Sequence, residues 1–308
     1  MKRQDGGLPA ETAETDAAVV ICSRNRPEML NRALQIVKEN SPRRLQVLVV
    51  DSASDTGETR QVCLRAGVDY VRAEMPGLSI ARNLGLVSVS AGIVVFTDDD
   101  CEPWPDWIAQ VTAPFRDRSV AVVTGRVAGQ PRNPPAGKYS GRPLSGLDLG
   151  HGALMAFRRK AVLDIGGFDP VLGAGRRLAG AEDLDMFCRL LRAGWDAVHQ
   201  PDAIVGHPNV RRDAAHRRLL YGYGLGLGAL AAKYYRLERR LGLMLAAVVL
   251  ARTVRRAVRA STHHSGQALS DWAQVGGVLH GALIAANFKI AGENFVDAHP
   301  PLKIKVLA

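Results

Sequence analysis

Runs of β-branched residues alternate with amphipathic segments along the first part of the chain, and this alternation predicts its elements. Runs with the pattern of buried strands lie at 17–22, 46–50 and 93–97, with a shorter strand expected at 69–72. After the first run, the i, i+3, i+4, i+7 spacing of a helix with one apolar face is followed by Leu30, Ala33, Leu34 and Val37. Strands and helices in this alternation predict an α/β fold, with a mostly parallel, Rossmann-like sheet flanked by helices.

The rest of the chain divides into parts of different composition. Further strands are expected at 120–127, 195–200 and 203–206, and a helix with an apolar buried face at 182–191. Small residues within 151–157 indicate that the backbone closely approaches another group there. We expect three regions, which are a disordered polar tail at 1–16, an α/β domain at 17–210 and a helical C-terminal region at 211–308.

Composition narrows the class of partner. The chain carries 40 Lys and Arg against 30 Asp and Glu, a net charge of +10, which favours anionic partners such as nucleotides or an anionic membrane face. The four cysteines are scattered, which indicates reduced thiols in a cytoplasmic protein and not disulfides or a zinc site. The longest strongly apolar run, 241–251, is about half of the roughly 20 residues that cross a bilayer, so no spanning segment is predicted.

Carboxylates follow two of the predicted strands. Asp51 ends the second strand, and Asp98, Asp99 and Asp100 end the fourth. A solvated turn with a helix cap would account for the three adjacent carboxylates, and so would a divalent-cation site. In a doubly wound sheet, these strand ends share the edge where nucleotides bind. Neither glycine-rich phosphate fingerprint occurs in the sequence, so a diphosphate here would need a metal ion together with arginines. The arginines near these strand ends are Arg24, Arg26 and Arg82.

The helix predicted from residue 182 begins with several carboxylates. In a purely structural interpretation, Glu182 and Asp183 compensate the helix dipole at the first turn. The two side chains project about 100° apart around the helix, so they cannot do the same work. Asp185 is expected to pair with Arg189, four residues later, on the helix surface.

Several short motifs, in a fixed order, resemble the inverting glycosyltransferases of family 2, which have the GT-A fold. They are VVICSRNRP at 19–27, VVDSASD at 49–55, GLSIARN at 77–83, FTDDD at 96–100, GGFD at 166–169, and EDLD at 182–185 with Arg189. Each motif is short, but their order and spacing together are specific. The resemblance covers about residues 17–210.

The resemblance implies a nucleotide-sugar donor carrying UDP, GDP or dTDP, and a Mn²⁺ or Mg²⁺ ion. It implies that Asp183 is the catalytic base and that Asp51 reads the nucleotide base. The residues implied to bind the donor are Ser23, Arg24, Asp51, Arg82, Asn83, Asp98 and Asp99. The implied metal ligands are Asp98, Asp100 and His207. The glycine-rich loop 172–180 is expected to act as a lid, and the acceptor is left open among a glycan, a lipid-linked molecule and a small molecule.

The C-terminal region has two compatible interpretations. Leucines and arginines after residue 229 predict a basic amphipathic helix, typical of an element that contacts the inner face of the cell membrane or a partner, including a second copy. The same helices would also suit a subdomain that closes over the sheet. Glycines that alternate with larger residues at 221–228 suit close helix packing.

Two other functions compete with glycosyl transfer. A membrane- or nucleic-acid-binding protein that kept the fold without chemistry would account for the positive charge. The basic residues cluster in the C-terminal region without an aromatic stacking platform, so nucleic acid is not an expected partner. A sugar nucleotidyltransferase would share the sheet, but the expected glycine- and lysine-containing loop after the first strand is missing. The predicted function is therefore a metal-dependent, inverting glycosyltransferase acting on an acceptor hydroxyl.

Overall fold

A nine-stranded sheet forms the centre of the protein in the computed structural model, which describes residues 16–130, 134–208, 213–263 and 265–297. Its strands are β1 Ala17–Ser23, β2 Gln46–Ser52, β3 Asp69–Ala73, β4 Ile93–Asp98, β5 Glu102–Pro103, β6 Val120–Val127, β7 Gly137–Tyr139, β8 Leu154–Arg158 and β9 Asp196–Gly206. Their order is β3-β2-β1-β4-β8-β6-β9-β5, with β7 paired to β9. The predicted tail lies outside the described residues except for Asp16, and the predicted domain boundaries stay predictions.

The first four strands form the parallel half of the sheet, as predicted. The helices α1 Pro27–Glu39, α2 Glu58–Ala66 and α3 Leu78–Ser88 connect them. The predicted apolar face of α1 is buried at all four positions. Register places Ser23 beside Asp51 and Cys22 beside Asp98, so the predicted site residues on three strands meet at one edge.

The other half makes the sheet mixed, because β8 lies between β4 and β6 and runs antiparallel to both. Because the two strands are antiparallel, β8 begins at the carboxyl end of β4, where Leu154 lies opposite Thr97. Gly152 is therefore held at the carboxyl edge beside the end of β4. The two short strands predicted near residue 200 are one continuous strand, β9, with an irregular register against β6.

The remaining elements are mainly helical. They are α4 Trp107–Thr112, α5 Arg159–Asp164, α6 Glu182–Arg192, α7 Asp213–Leu237, α8 Arg239–His263, α9 Ser265–Ala285, two 3₁₀ turns at Ala113–Arg116 and Pro143–Asp148, and a hairpin of β10 Ile290–Ala291 and β11 Asn294–Phe295. Leu230, Leu241 and Leu245 of the C-terminal helices pack on Cys188 of α6, so their apolar face closes over the domain. No helix in the described ranges is both long and apolar enough to cross a membrane.

The alternating glycines of α7 serve two different contacts. A Cβ at Gly222 or Gly226 would meet the backbone of Ala179 and Gly180, at the end of the predicted lid. A Cβ at Gly224 or Gly228, on the opposite side of the helix, would meet the backbone of α9. The period-two glycine pattern therefore places α7 between the lid and α9, with both at backbone distance.

Replacing Gly226 with Ala should destabilise the protein, because the added methyl overlaps the backbone of Gly180. Overpacking of this kind costs about 1–3 kcal/mol. Gly276 of α9 is the matched control, since a Cβ there meets nothing within 4 Å and Ala should stabilise the helix by about 0.5–1 kcal/mol. Urea unfolding measures both changes. Equal stability of the two variants would show that α7 and the lid are not in backbone contact.

A fully buried group of four charges joins α7 to the α/β domain. Lys233 Nζ lies 2.9 Å from Asp169 Oδ2 and also pairs with Asp185, which in turn accepts from Arg189 Nε at 2.9 Å. All four side chains are buried. The expected pair of Asp185 with Arg189 is therefore present, but its predicted position on the helix surface is wrong, because α7 covers this face of α6.

Replacing Lys233 with Met should lower the free energy of unfolding by about 3–5 kcal/mol, since it leaves two buried carboxylates without their shared cation. Thermal and urea unfolding measure the change. The control is Lys160→Met, which removes an exposed ion pair with Asp164 and should change stability by less than about 1 kcal/mol. Similar stability of the two variants would contradict a role for the buried charges in holding α7.

Candidate active site

Asp98, Asp100, Cys101 and His207 form a cluster at the carboxyl edge of the sheet, and their ligand atoms all lie within 4.8 Å of one another. Asp98 ends β4, and pairing of Glu102 with Gly206 brings the end of β9 beside the same turn. His207 Nε2 lies 3.3 Å from Asp100 Oδ1, and this hydrogen bond raises the pKa of His207. The three predicted metal ligands are thus brought together from two distant parts of the chain.

The electrostatics of this cluster fit a divalent cation. Although 35% of the Asp98 side chain is exposed, partial removal from water raises its pKa to about 6. Arg82 opposes that shift, whereas Asp100 and Asp99 add to it. Burial raises the pKa of Cys101, so this side chain stays a neutral thiol. The donors that suit Mn²⁺ or Mg²⁺ are therefore the two carboxylates and the imidazole.

Arg82 connects the metal-type cluster to the start of α6. Its buried guanidinium donates to Glu182 Oε1 at 2.9 Å and lies 3.9 Å from Asp98 Oδ1. It also lies over the ring of Phe168, 5.5 Å from the centroid. Burial raises the pKa of Glu182 to about 7, with Asp183 adding to the shift and Arg82 opposing it. Arg82 is thus held rigidly by the carboxylates around it.

Asp183 lies half-buried at the same edge. Its Oδ2 accepts from Gly152 N at 3.0 Å, and its Oδ1 accepts from Leu184 N at 2.8 Å. A Cβ at Gly152 would lie 3.0 Å from Arg82 Nη2 and 3.2 Å from Asp183 Oδ2, so these two side chains face the same glycine. The close backbone approach expected within 151–157 is confirmed here. Asp183 and Arg82 therefore meet at Gly152, at the carboxyl edge of the sheet.

Most of the other implied donor residues lie along the same edge of the sheet. Asp51 is fully buried, and its carboxylate accepts from Ser54 N at 2.7 Å, Tyr70 Oη at 2.9 Å and Arg72 Nη1 at 3.0 Å. These three groups all donate hydrogen bonds to Asp51. The carboxylate therefore orients the side chains of Tyr70 and Arg72. A direct contact between Asp51 and a nucleotide base stays a prediction.

Ser23 and Asp99 form a second contact on this edge. Ser23 Oγ donates to Asp99 Oδ2 at 2.8 Å, and Arg26 Nη1 donates to Asp99 Oδ1 at 3.0 Å. Arg24 lies on the rim, where its Nε donates to the Ala53 carbonyl at 3.2 Å. Asp99 and Arg26 thereby connect the end of β1 to the metal-type cluster, since Arg26 Nη1 also lies 3.4 Å from Asp100 Oδ2.

Asn83 has a different environment from the other implied donor residues. Its Nδ2 donates to the Phe168 carbonyl at 2.8 Å, and its Oδ1 accepts from Phe168 N at 2.7 Å. Both ends of the amide therefore hold the backbone of Phe168, in the 166–169 motif. The ring of the same phenylalanine packs against the Arg82 guanidinium. A donor contact for Asn83 stays a prediction.

Three residues at the site were not anticipated from the sequence: Tyr70, Arg72 and Gly152. Tyr70 and Arg72 occupy alternate positions of β3, and register places Arg72 beside Asp51. Polar side chains two residues apart on a strand beside a buried carboxylate are a signal that could have indicated them. Gly152 had only the general signal of small residues, because its contact with Asp183 depends on the antiparallel insertion of β8.

The predicted lid is folded against the site. Leu78 N donates to the Ala174 carbonyl at 2.9 Å, and Arg176 Nη2 pairs with Asp297 at 2.7 Å. Gly173 lies against Glu182, at a φ of +93° that favours glycine. The loop therefore spans from α3 to the start of α6, and its movement as a lid stays a prediction.

Comparison with known families defines the class of protein. The sequence matches the model of Glycosyl transferase family 2 over residues 18–166 and that of Glycosyl transferase family group 2 over residues 132–284. The chain belongs to glycosyltransferase family 2, as its motifs indicated.

Particular relatives are similar over most of the chain. A pre-mycofactocin glycosyltransferase of Mycobacterium tuberculosis is 30% identical over 236 residues, which are 70% of this chain and 47% of the relative. The chain thus spans about half of the length of that relative. The succinoglycan biosynthesis protein ExoM of Rhizobium meliloti is 28% identical, over 65% of this chain and 69% of its own.

A solved structure confirms the predicted GT-A fold. The mannosyltransferase PcManGT from Pyrobaculum calidifontis, in complex with GDP-Man and Mn²⁺, is similar with a TM-score of 0.61 and 21% identity. The match covers 92% of this chain and 90% of that one. At this identity the likeness establishes the fold and leaves the substrates to be argued from the site.

Proposed function

We propose that the protein is a metal-dependent, inverting glycosyltransferase that moves a sugar from a nucleoside-diphosphate sugar to an acceptor hydroxyl. The observation that carries the proposal is one continuous edge. A cation-type cluster of Asp98, Asp100 and His207 lies beside Arg82, and Arg82 faces the same glycine, Gly152, as Asp183, a carboxylate held by two backbone amides. A diphosphate donor needs cationic groups that neutralise its charge, and an acceptor hydroxyl needs a carboxylate that takes its proton.

The donor is proposed to lie along the carboxyl edge, with its base beside Asp51, Tyr70 and Arg72 and its diphosphate toward Arg82. UDP, GDP and dTDP sugars are the candidate donors, and the complex of PcManGT with GDP-Man and Mn²⁺ supports this class. Asp98, Asp100 and His207 would hold the Mn²⁺ or Mg²⁺ ion. When bound, the cation supplies neutralisation of the negative charge that grows on the leaving diphosphate.

Asp183 is proposed to be the base. The acceptor hydroxyl gives its proton to the Asp183 carboxylate while its oxygen forms a bond to the anomeric carbon. The bond from that carbon to the phosphate oxygen breaks, and the nucleoside diphosphate leaves. Attack from the face opposite the leaving group inverts the anomeric centre. The amides of Gly152 and Leu184 hold the carboxylate in place, which supports its role as a positioned base.

The acceptor is proposed to be a glycan, a lipid-linked molecule or a small molecule, handled on the cytoplasmic side of the cell membrane. The named relatives, a pre-mycofactocin glycosyltransferase and a succinoglycan biosynthesis protein, carry different names, so they do not narrow the acceptor to one of these classes. The chain spans only about half of the pre-mycofactocin relative, so the acceptor of this protein stays a proposal.

A panel of nucleotide sugars tests the function. Thermal unfolding with each sugar, with and without Mn²⁺, should identify one donor that raises the melting temperature only when the cation is present. Transfer to water or an added acceptor should then release nucleoside diphosphate. NMR should show that the anomeric configuration of the product is inverted relative to the donor. Release of pyrophosphate from a nucleoside triphosphate would instead identify a nucleotidyltransferase, and binding without turnover would identify a fold-retaining binding protein.

A further inference from the structure

The two last helices expose rows of large apolar side chains. Eight of the fifteen large apolar residues that are exposed in the described chain lie on α8 and α9. They are Leu243, Met244, Val254, Val258, Leu269, Trp272, Leu279 and Leu283. Leu269 is 62% exposed and Leu283 is 71% exposed, so most of their apolar surface stays in contact with water. Clustered exposed apolar side chains indicate an interaction surface.

The other faces of both helices are already in use. α8 buries Leu241, Leu245 and Val249 toward the domain, and α9 packs its Gly277 and Gly281 onto α7. The exposed rows therefore point away from the protein. Trp272 Nε1 donates to Ser261 Oγ at 3.1 Å and so joins the two rows at one end. We call this joined face the α8–α9 surface.

The charge of the α8–α9 surface is strongly positive. α8 contains six arginines and no Asp or Glu, and all six arginines are exposed. Arg252 pairs with Asp148 and Arg256 pairs with Asp271. Among the described residues, no acidic group lies within ion-pair distance of Arg240, Arg255 or Arg259. Apolar side chains flanked by unneutralised arginines match a bilayer that has an anionic headgroup layer above its hydrocarbon.

We propose that the α8–α9 surface binds an anionic phospholipid bilayer, with the leucines and Trp272 among the acyl chains and the arginines at the headgroups. A second copy is the alternative occupant, but a symmetric pair would place two arginine rows against each other, which costs energy. This inference does not depend on the chemistry at Asp183. It specifies which face of the C-terminal region meets the membrane, whereas the sequence pattern did not distinguish the faces of these helices.

Vesicle flotation tests the surface in the whole protein. Wild type should bind phosphatidylcholine vesicles that contain phosphatidylglycerol, bind vesicles of phosphatidylcholine alone much less, and be released by salt. Arg255→Glu with Arg259→Glu should weaken binding by at least about 25-fold, at about fivefold for each arginine. Leu279→Ser with Leu283→Ser should weaken it by at least about tenfold. The matched control is Leu64→Ser with Arg65→Glu on α2, which changes an exposed pair elsewhere.

Fluorescence adds a readout of insertion. Brominated lipids should quench part of the tryptophan emission, and Trp272→Phe should remove that part, because Trp272 lies on the exposed row. Unchanged binding of both double variants, or equal quenching in Trp272→Phe, would overturn the proposal. So would a change of oligomeric state in the leucine variant together with no vesicle binding by wild type, since a second copy would then cover the surface. Mn²⁺-dependent donor binding should be unchanged in every variant, which separates this test from that of the proposed function.

Discussion

Replacing Asp183 with Asn should lower turnover by roughly 10²–10⁴-fold, the range typical of lost general-base catalysis, while leaving donor and metal affinity almost unchanged. Asp183 lies near the start of α6, and its two carboxylate oxygens accept hydrogen bonds from the backbone amides of Gly152 and Leu184. An amide at this position keeps the size of the side chain but cannot take the acceptor proton. Donor titration by calorimetry beside single-turnover transfer measures the two quantities separately.

The controls for Asp183 come from the same helix and from the surface. Glu182→Gln keeps an acceptor for Arg82 and should cost less turnover than Asp183→Asn. Asp164→Asn, on the exposed end of α5, should behave as wild type. Asp185→Asn is unsuitable as a control, because it disturbs the buried charges that hold α7. If Asp183→Asn loses donor affinity and turnover in equal measure, the residue belongs to the donor or metal site.

Replacing Asp100 with Ala should abolish metal-dependent donor binding and transfer, and the protein should stay folded. Asp100 contacts both His207 and Arg26. The substitution therefore removes one carboxylate from the cation-type cluster and frees the side chains of His207 and Arg26 from that contact. A site with three protein ligands loses most of its affinity for a hard divalent cation when one carboxylate is removed. Mn²⁺ titration by calorimetry, with and without donor, measures this loss, and circular dichroism checks the fold.

Two further variants locate the effect of Asp100. Asp98→Ala should also weaken Mn²⁺-dependent donor binding, whereas Asp51→Ala should weaken donor binding but leave the affinity for Mn²⁺ alone unchanged, since Asp51 is proposed to act at the nucleotide base. Asp164→Ala provides an acidic residue removed at a distant, exposed position. Wild-type turnover in Asp100→Ala would exclude this residue as a ligand, and His207 with Asp98 would then have to hold the cation.

Three of the four non-glycine residues with a positive φ in the described chain lie at the proposed site, and the fourth, Asp106, precedes α4. Asn25, Ala53 and Ala181 have positive φ values of 55°, 56° and 60°, a region that non-glycine residues rarely adopt. The first two follow β1 and β2, and Ala181 precedes α6. Such conformations persist only where the surrounding structure holds them, and they occur preferentially at functional sites. The same edge therefore carries the strained turns, the carboxylate cluster and Asp183.

The local pattern of the sequence was sufficient for most of the elements and for the sheet edge at which the carboxylates meet. The i, i+3, i+4, i+7 spacing of α1 and the β-branched runs of β1, β2 and β4 reflect nearest-neighbour geometry, which does not depend on distant residues. Because parallel strands end at a common edge, the positions of Asp51 and of Asp98–Asp100 at strand ends were enough to bring them together.

Tertiary structure alone decided the contacts that give the site its geometry. Gly152 meets Asp183 only because β8 enters the sheet antiparallel to β4, and single-sequence periodicity carries no strand direction. Asp185 and Arg189 have the same i, i+4 spacing whether the pair is exposed or buried, and the position of Lys233 on α7 decides that it is buried. The amphipathic pattern of α8 likewise left open which face meets the protein, and packing of the C-terminal helices on α6 leaves the arginine-flanked row exposed.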